Sequence, residues 1–377
     1  MSSQPRPTNN FDSLRLILAV LVILSHAFPL SRGSNDTEPL YELTRGQTTL
    51  GNLSVWGFFA ISGFLITQSW TRSPKVAGYL RRRIGRIYPG FIVLALLSVL
   101  ILAPLAAGPG HRWSTTPWRF IADTLRLQSF DMPPVFEANP SPNALNGSLW
   151  SIPYEFWCYI MVMVFGLLGL LRRRWFLVAL LVEVVGLHAY LDWSGWHPGG
   201  KLFGEMFGYP LFWVTVLPFF LAGMIFNLWG GKALFRADIA AVSFLLLVVS
   251  YFVPYGAMLA LPTVGAYALL WLAQTRRLNF LHLGRYGDFS YGVYLYAYPI
   301  EQFVQMYSGG RMSPLLLFCI SAPLSLAAGA ASWFLVEKHF LSKSARLKHE
   351  GVDVSSAGKE LLRAVGSDGR GGASTPR

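Results

Sequence analysis

The chain has 377 residues, of which 53% are hydrophobic, 15% aromatic and only 13% charged, whereas a soluble domain carries charge on about a quarter of its positions. That deficit excludes a disordered or ordinary soluble chain, and the length leaves room for about ten spans of ~20 residues with loops to spare. The formal charge of +12 is dealt out among many loops rather than gathered on one surface, which argues against a nucleic-acid binder.

Apolar runs recur at about 14–30, 51–70, 87–107, 150–171, 175–192, 206–228, 239–253, 256–274, 288–307 and 314–336. They predict ten helices and hence an all-α, polytopic membrane protein. The seventh run is short for a bilayer, and Pro254, Tyr255 and Gly256 behind it predict a tight hairpin with the eighth. With the N-terminus in the cytoplasm, inside segments hold 23 of the 31 Lys and Arg and outside segments seven, with Arg15 at the mouth of the first helix. Without the C-terminal tail the ratio is still 15 to 7, so both termini are expected in the cytoplasm. The first run is expected to stay in the membrane, because Ser25, His26, Ala27, Phe28 and Pro29 offer no small-x-small signal cleavage site.

Residues 1–341 are read as one transmembrane domain and 342–377, rich in Ser, Gly, Lys and Glu, as a disordered cytoplasmic tail. The longest external connection, about 108–148, mixes His111, Arg112, Trp113, Trp118 and Arg119 with a proline-rich stretch. It is either part of an acceptor site or a surface loop. Cys158 and Cys319 sit in apolar sequence without metal-site or disulfide spacing, and no metal is expected. Gly-x-Ser-x-Gly, phosphate-loop and His-Glu-x-x-His signatures are absent from the sequence.

Ionisable side chains inside a span are costly and default to function. His26 follows Arg15 by eleven residues, roughly 16 Å and about 20° past three turns, so the two share a face of the first helix. A long ligand lying along that face would meet Arg15 with a phosphate and His26 with its reactive end. The plainer readings are an interfacial arginine and a helix-end histidine. Arg81, Arg82, Arg83 and Arg86 precede Tyr88 and Pro89; Arg83 and Arg86, at i and i+3, suit a single polyanion. Arg81 and Arg82 read better as a cytoplasmic anchor. Gly57 to Phe64 interleaves small and aromatic residues, which favours close helix packing. Trp150, Ser151 and Glu155 open the fourth span, and an acid one turn inside an apolar run needs an Arg or His partner. Glu301 and Glu337 have weaker claims, and Glu337 is also readable as interfacial. His188 and Asp192 read as a helix-end contact.

In this order the motifs resemble the membrane-bound acyltransferase-3 family, bacterial enzymes that O-acylate envelope and secreted carbohydrates. The resemblance spans about residues 11–341. It rests on Phe11, Asp12, Leu14 and Arg15 with His26, on Phe58 to Ile66, and on Arg83 and Arg86 before Tyr88-Pro89. Leu149, Trp150, Ser151 and Glu155, then Phe289 to Leu295 with Pro299, then Val336-Glu337 extend it. It implies an inner (plasma) membrane multi-pass enzyme taking an acyl-CoA donor, expected to be acetyl-CoA, with Arg15, Arg83 and Arg86 on the donor phosphates. The implied acceptor is a carbohydrate or glycolipid hydroxyl, with polysaccharide assembly proteins as candidate partners. His26 would be the general base; Glu155 would orient it or touch the acceptor, and Trp150 and Ser151 would contact substrate. An acyl-histidine intermediate is a second route. Where many members carry Trp-His-Phe-Pro, this chain has Tyr296, Ala297, Tyr298 and Pro299, so no second histidine is carried over. After Lys343 too little sequence follows for the hydrolase-like domain fused to some members. The rival class is a transporter or flippase of a glycolipid or acyl carrier with His26 as proton relay, although no internal repeat is visible.

Overall fold

A computed structural model describes residues 10–107, 116–128, 134–198, 201–230, 235–275 and 287–341. The expected tail, the first part of the long connection (108–115) and residues 129–133 lie outside these residues. Every regular element among the described residues is helical. In chain order they are α1 (Phe11–Arg32), α2 (Pro39–Leu43), α3 (Leu50–Arg72), α4 (Val76–Ala107), α5 (Pro117–Leu125), α6 (Gly147–Leu167), α7 (Arg174–Ser194), α8 (Lys201–Phe207), α9 (Pro210–Trp229), α10 (Ala237–Ser250), α11 (Gly256–Gln274), α12 (Ser290–Tyr307) and α13 (Pro314–Phe340).

Among the described residues eight helices are long and apolar enough to cross a membrane, and each coincides with one of the ten apolar runs. The two remaining runs form α10 and α12. Helix α10 has only 14 residues; α12 carries Glu301, Gln302, Gln305 and five tyrosines, which dilute its hydropathy. The chain is thus an all-α polytopic membrane protein. Helices α7 and α10 present apolar flanks outward, with Val182 66% and Leu245 63% exposed, as helices bathed in lipid do.

Helix α1 sits between α3, α12 and α13, and α3 in turn packs on α9 and α6. The α3–α9 contact depends on glycine. A Cβ on Gly63 would come 2.1 Å from the Phe220 carbonyl oxygen, and one on Gly223 would come 2.1 Å from that of Ala60. The small-residue stripe therefore brings two backbones together, the packing role expected of it. Helix α4 begins at Val76, so the arginine cluster lies within the helix, with Pro89 inside it as well.

Proline also shapes α12. Pro299 lacks the N–H that would bond the Leu295 carbonyl, and the Asn146 side chain donates to that oxygen instead at 2.8 Å. The same loop is held to α12 by Asn139 Nδ2 donating to the Gln302 carbonyl (2.9 Å) and Gln302 Nε2 donating to the Ser141 carbonyl (2.8 Å). The second half of the long connection therefore roofs the end of α12 that carries Glu301. Beside it, buried Glu38 accepts from Tyr41 N–H at 2.7 Å and Leu50 N–H at 2.8 Å, capping α2 and tying down the start of α3.

Candidate active site

Helices α1 and α12 run parallel, and each basic group on the α1 face meets an acid on α12 or just ahead of its first turn. At one end Arg15 donates to Asp288 (3.1 Å); at the other His26 Nδ1 lies 3.9 Å from Glu301 Oε2. Asp288, Tyr291, Tyr294, Tyr298 and Glu301 follow at steps of three or four residues, a single helical stripe along the α1 side. The eleven-residue spacing read from the sequence thus has its counterpart on the neighbouring helix.

The Arg15 end is a dense network. Asp288 Oδ2 accepts from Arg15 and, at 2.6 Å, from Arg86, while its other oxygen accepts from Ser290. Arg86 also reaches Glu337 (3.3 Å), whose second oxygen accepts from Ser332 at 2.9 Å. A widened turn over Trp333–Glu337, closed by Lys338 N–H to the Trp333 carbonyl, carries Glu337 to this position. Glu337 is only 2% exposed, so it is a buried ion-pair partner rather than an interfacial side chain. Glu155 Oε1 accepts from Ser62 (2.8 Å) and Tyr159 (2.5 Å) and lies 3.8 Å from Arg15. Of the two partners its position called for, Glu155 has the arginine: Arg15 and His26 lie about 16 Å apart along α1, and the acid beside His26 is Glu301.

Arg83 does not share the ion pairs of Arg86. Its guanidinium stacks over Tyr79 and Tyr159, 5.7 Å from each ring centre, and among the described residues neither it nor Arg82 has an acid within ion-pair reach. Both line a cavity of about 140 Å³ with Arg15, Arg86, Ser62, Tyr159 and Leu341. Arg15, Arg86 and Tyr159 also border a second cavity, deeper in the bundle, that includes Ser151, Glu155, Tyr291 and Tyr294. The basic cavity and the inner one therefore share a wall. Ser151 is hydrogen-bonded to Tyr294 at 2.7 Å, and Tyr294 donates to the Ser148 carbonyl. Trp150 is not part of this lining and meets Phe212 in a tilted contact, 4.8 Å between ring centres.

The His26 end is sparse by contrast. Glu301 is fully buried, and neither of its oxygens nor His26 Nδ1 has a hydrogen-bond partner among the described residues. Burying a carboxylate in that state costs several kcal/mol, which the fold accepts in order to place it beside an imidazole. Tyr298 meets His26 edge-on at 5.2 Å between ring centres. A shift of about 1 Å would close a hydrogen bond from Nδ1–H to Glu301, the arrangement that leaves the other ring nitrogen free as a base. No group of His, Cys, Asp and Glu suited to a metal occurs among the described residues.

Sequence reasoning missed Asp288 and undervalued Glu301. The available signal was an acid at the head of an apolar run rich in tyrosine, where a helix N-terminus favours negative charge.

Comparison with known proteins gives the family of the chain. The family profile described as an acyltransferase domain, Acyl_transf_3, matches residues 8–334. An O-acetyl transferase of Shigella phage Sf6 is 30% identical over 351 residues, covering 89% of this chain and 97% of that protein. Nodulation protein 10 of Rhizobium leguminosarum bv. viciae is 26% identical over 356 residues, 88% of this chain and 92% of its own. Acyltransferase MdmB of Streptomyces mycarofaciens is 32% identical over 116 residues, 30% of this chain and 28% of its own. No solved structure matches.

Proposed function

Because the chain belongs to the acyltransferase-3 family and is an enzyme that transfers acyl groups in a membrane, we propose that it moves an acetyl group from acetyl-CoA to a hydroxyl of an envelope or secreted carbohydrate. The observation that carries this reading is the pair of α1–α12 contacts, a cationic one at Arg15 and an acid–imidazole one at His26, about 16 Å apart on one face. An acyl donor with an anionic end and a reactive end fits such a face. The relative named an O-acetyl transferase supports the acetyl group, and the excess of Lys and Arg in alternate loops supports a cytoplasmic N-terminus in an inner membrane. In that orientation the Arg15 end faces the cytoplasm, and the carbohydrate approaches the His26 end from outside.

The donor phosphates take the cations that acids have not already claimed. Arg83 and Arg82 are the ones so placed; Arg15 and Arg86 are held by Asp288, Glu155 and Glu337 and wall the passage inward. At the far end His26 removes the acceptor's hydroxyl proton as that oxygen attacks the thioester carbonyl. A C–O bond forms, the C–S bond breaks, and the proton passes from His26 to the departing thiolate, which leaves as a thiol. Glu301 fixes the imidazole and balances its transient positive charge.

The test uses isotopic acetate and host cells lacking the gene, complemented with wild type, His26→Ala or Glu155→Gln at equal membrane levels. Acetyl label in envelope or secreted glycan is expected with wild type and absent with His26→Ala. Equal labelling by His26→Ala would remove His26 from the chemistry. Movement of a glycolipid across the membrane without any covalent change would replace acyl transfer with transport.

A further inference from the structure

At the His26 end of the bundle, on the side of α3 away from α1, lies a cavity of about 510 Å³ that the acyl-transfer reading does not use. Its polar lining includes Arg45, Asn52, His188, Asp192 and Thr215, from the loop after α2 and from α3, α7 and α9. Directly beneath it runs a second cavity of about 170 Å³, walled only by apolar residues, among them Leu18, Leu53, Phe244, Leu247 and Leu272. The two share Trp56, Phe219 and Leu261, and the Trp56 and Phe219 rings stack in parallel at 4.9 Å to form the common wall.

We propose that these cavities together form a binding site for a glycolipid, with the sugar in the polar cavity and the hydrocarbon tail in the apolar one. Three features select that occupant. The polar cavity is lined by one permanent cation, Arg45, and one acid, Asp192, so it lacks the cationic excess that would choose a phosphate headgroup. It combines hydrogen-bonding side chains with the aromatic faces of Trp56 and Tyr255, a lining that satisfies both the hydroxyls and the apolar ring faces of a sugar. From Leu261 to Leu272 the apolar part follows α11 for eleven residues, roughly 16 Å, about half of a ~30 Å hydrocarbon core. That is the depth of one leaflet.

The site is built into the fold. Gln47 donates to the Tyr251 carbonyl at 2.8 Å and accepts from Ala257 N–H at 3.3 Å, locking the loop before α3 to the α10–α11 turn. The edge of the polar cavity is therefore fixed by side-chain hydrogen bonds to the backbone. Val55 and Phe59, neighbours of Trp56 on α3, line the cavity that holds Arg15 and Glu155. The glycolipid site and the acyl-transfer site thus occupy opposite flanks of one helix, and binding at the first stands whether or not the second acts on carbohydrate.

The experiment places the full chain in phospholipid nanodiscs with an alkyl glucoside carrying a diazirine midway along its tail. After illumination, adducts are mapped by peptide mass spectrometry. An alkyl phosphocholine with the same tail serves as comparison. Adducts are expected on Leu53 to Ala60 and Leu261 to Leu272 with the glucoside. Yield there should fall roughly tenfold in the double variant Asn52→Ala, Asp192→Ala, which removes two headgroup hydrogen-bonding partners. Both side chains are exposed, and unchanged gel-filtration and circular dichroism profiles confirm folding. Equal labelling by both headgroups, unaffected by the double variant, would overturn the proposal and leave an ordinary gap filled by bulk lipid. Glucoside adducts spread over the outer flanks of α7 without enrichment in the groove would overturn it as well. Because the readout is labelling, loss of acetyl transfer in any variant does not bear on the result.

Discussion

The two ends of the α1 face use the same pairing, a basic group on α1 with an acid on α12 or just ahead of it, but surround it differently. Around Arg15, three carboxylates, two guanidiniums and the hydroxyls of Ser62, Tyr159, Ser290 and Ser332 leave only Arg15 Nε, among their buried nitrogens and oxygens, without a hydrogen-bond partner among the described residues. Around His26, an imidazole and a buried carboxylate stand 3.9 Å apart with hydrogen-bonding capacity to spare. A saturated buried network fixes geometry, since removing any member strands a charge. An unsaturated pair keeps a nitrogen available for a proton. On the function proposed above, the first end serves structure and the second chemistry, a division open to direct challenge.

The largest expected effect belongs to the sparse end. His26→Ala should lower acetyl transfer at least ~10³-fold, within the range general-base catalysis supplies, while thermal stability in detergent changes little; a variant that keeps a tenth of wild-type turnover contradicts the division of labour. Next comes the saturated end. Asp288→Ala leaves Arg15 and Arg86 without their shared acid, and breaking a buried pair costs about 3–5 kcal/mol. The melting temperature should therefore fall steeply, and activity should fall only as far as folded protein is lost. A stable Asp288→Ala protein with no activity would move the chemistry to the Arg15 end. Glu301→Gln is expected to reduce kcat ~10²-fold with KM unchanged. It should also displace the pH profile of kcat, because the charge facing the imidazole is gone. A purely structural role would lower the melting temperature and leave that profile in place.

Much of this arrangement was legible in the sequence, and the illegible part has a common cause. Span positions followed from hydropathy, which is a local property, and the face shared by Arg15 and His26 followed from helical periodicity alone. The stripe around Gly63 announced close packing because a glycine so placed serves backbone approach. What the sequence withheld was which helices are neighbours. Glu155 needed an Arg or His, and only the packing of α3 against both α1 and α6 selects Arg15. Glu301 stood out as an intramembrane acid, yet its partner lies on the first helix, 275 positions away. Asp288 stands at the head of its apolar run, two residues before α12 begins, and nothing local in the sequence shows that it joins Arg15 to Arg86. Arg83 and Arg86, paired by their spacing on one face, are parted by their neighbours: aromatic rings stand beside both, but among the described residues carboxylates stand beside the second alone.

That parting gives the smallest and most discriminating prediction. If acids have already claimed Arg15 and Arg86, the donor's phosphates depend on Arg83, stacked on Tyr79 and Tyr159 with no carboxylate partner among the described residues. Losing one charge-assisted contact to a phosphate is worth roughly a factor of ten in affinity. Arg83→Ala should therefore raise the KM for acetyl-CoA about tenfold with kcat nearly unchanged, the signature of a contact made equally in the ground and transition states. Arg83→Lys keeps the charge but loses the planar stack, so it should recover only part of the affinity. Raising the salt concentration should weaken the wild type more than Arg83→Ala, since screening acts on an ion pair that the variant lacks. Arg86→Ala belongs to the other class and should lower stability first. Were Arg86→Ala to raise KM without destabilising the protein, while Arg83→Ala left KM unchanged, the saturated network would itself be the phosphate site, with the donor displacing Asp288 or Glu337 on binding.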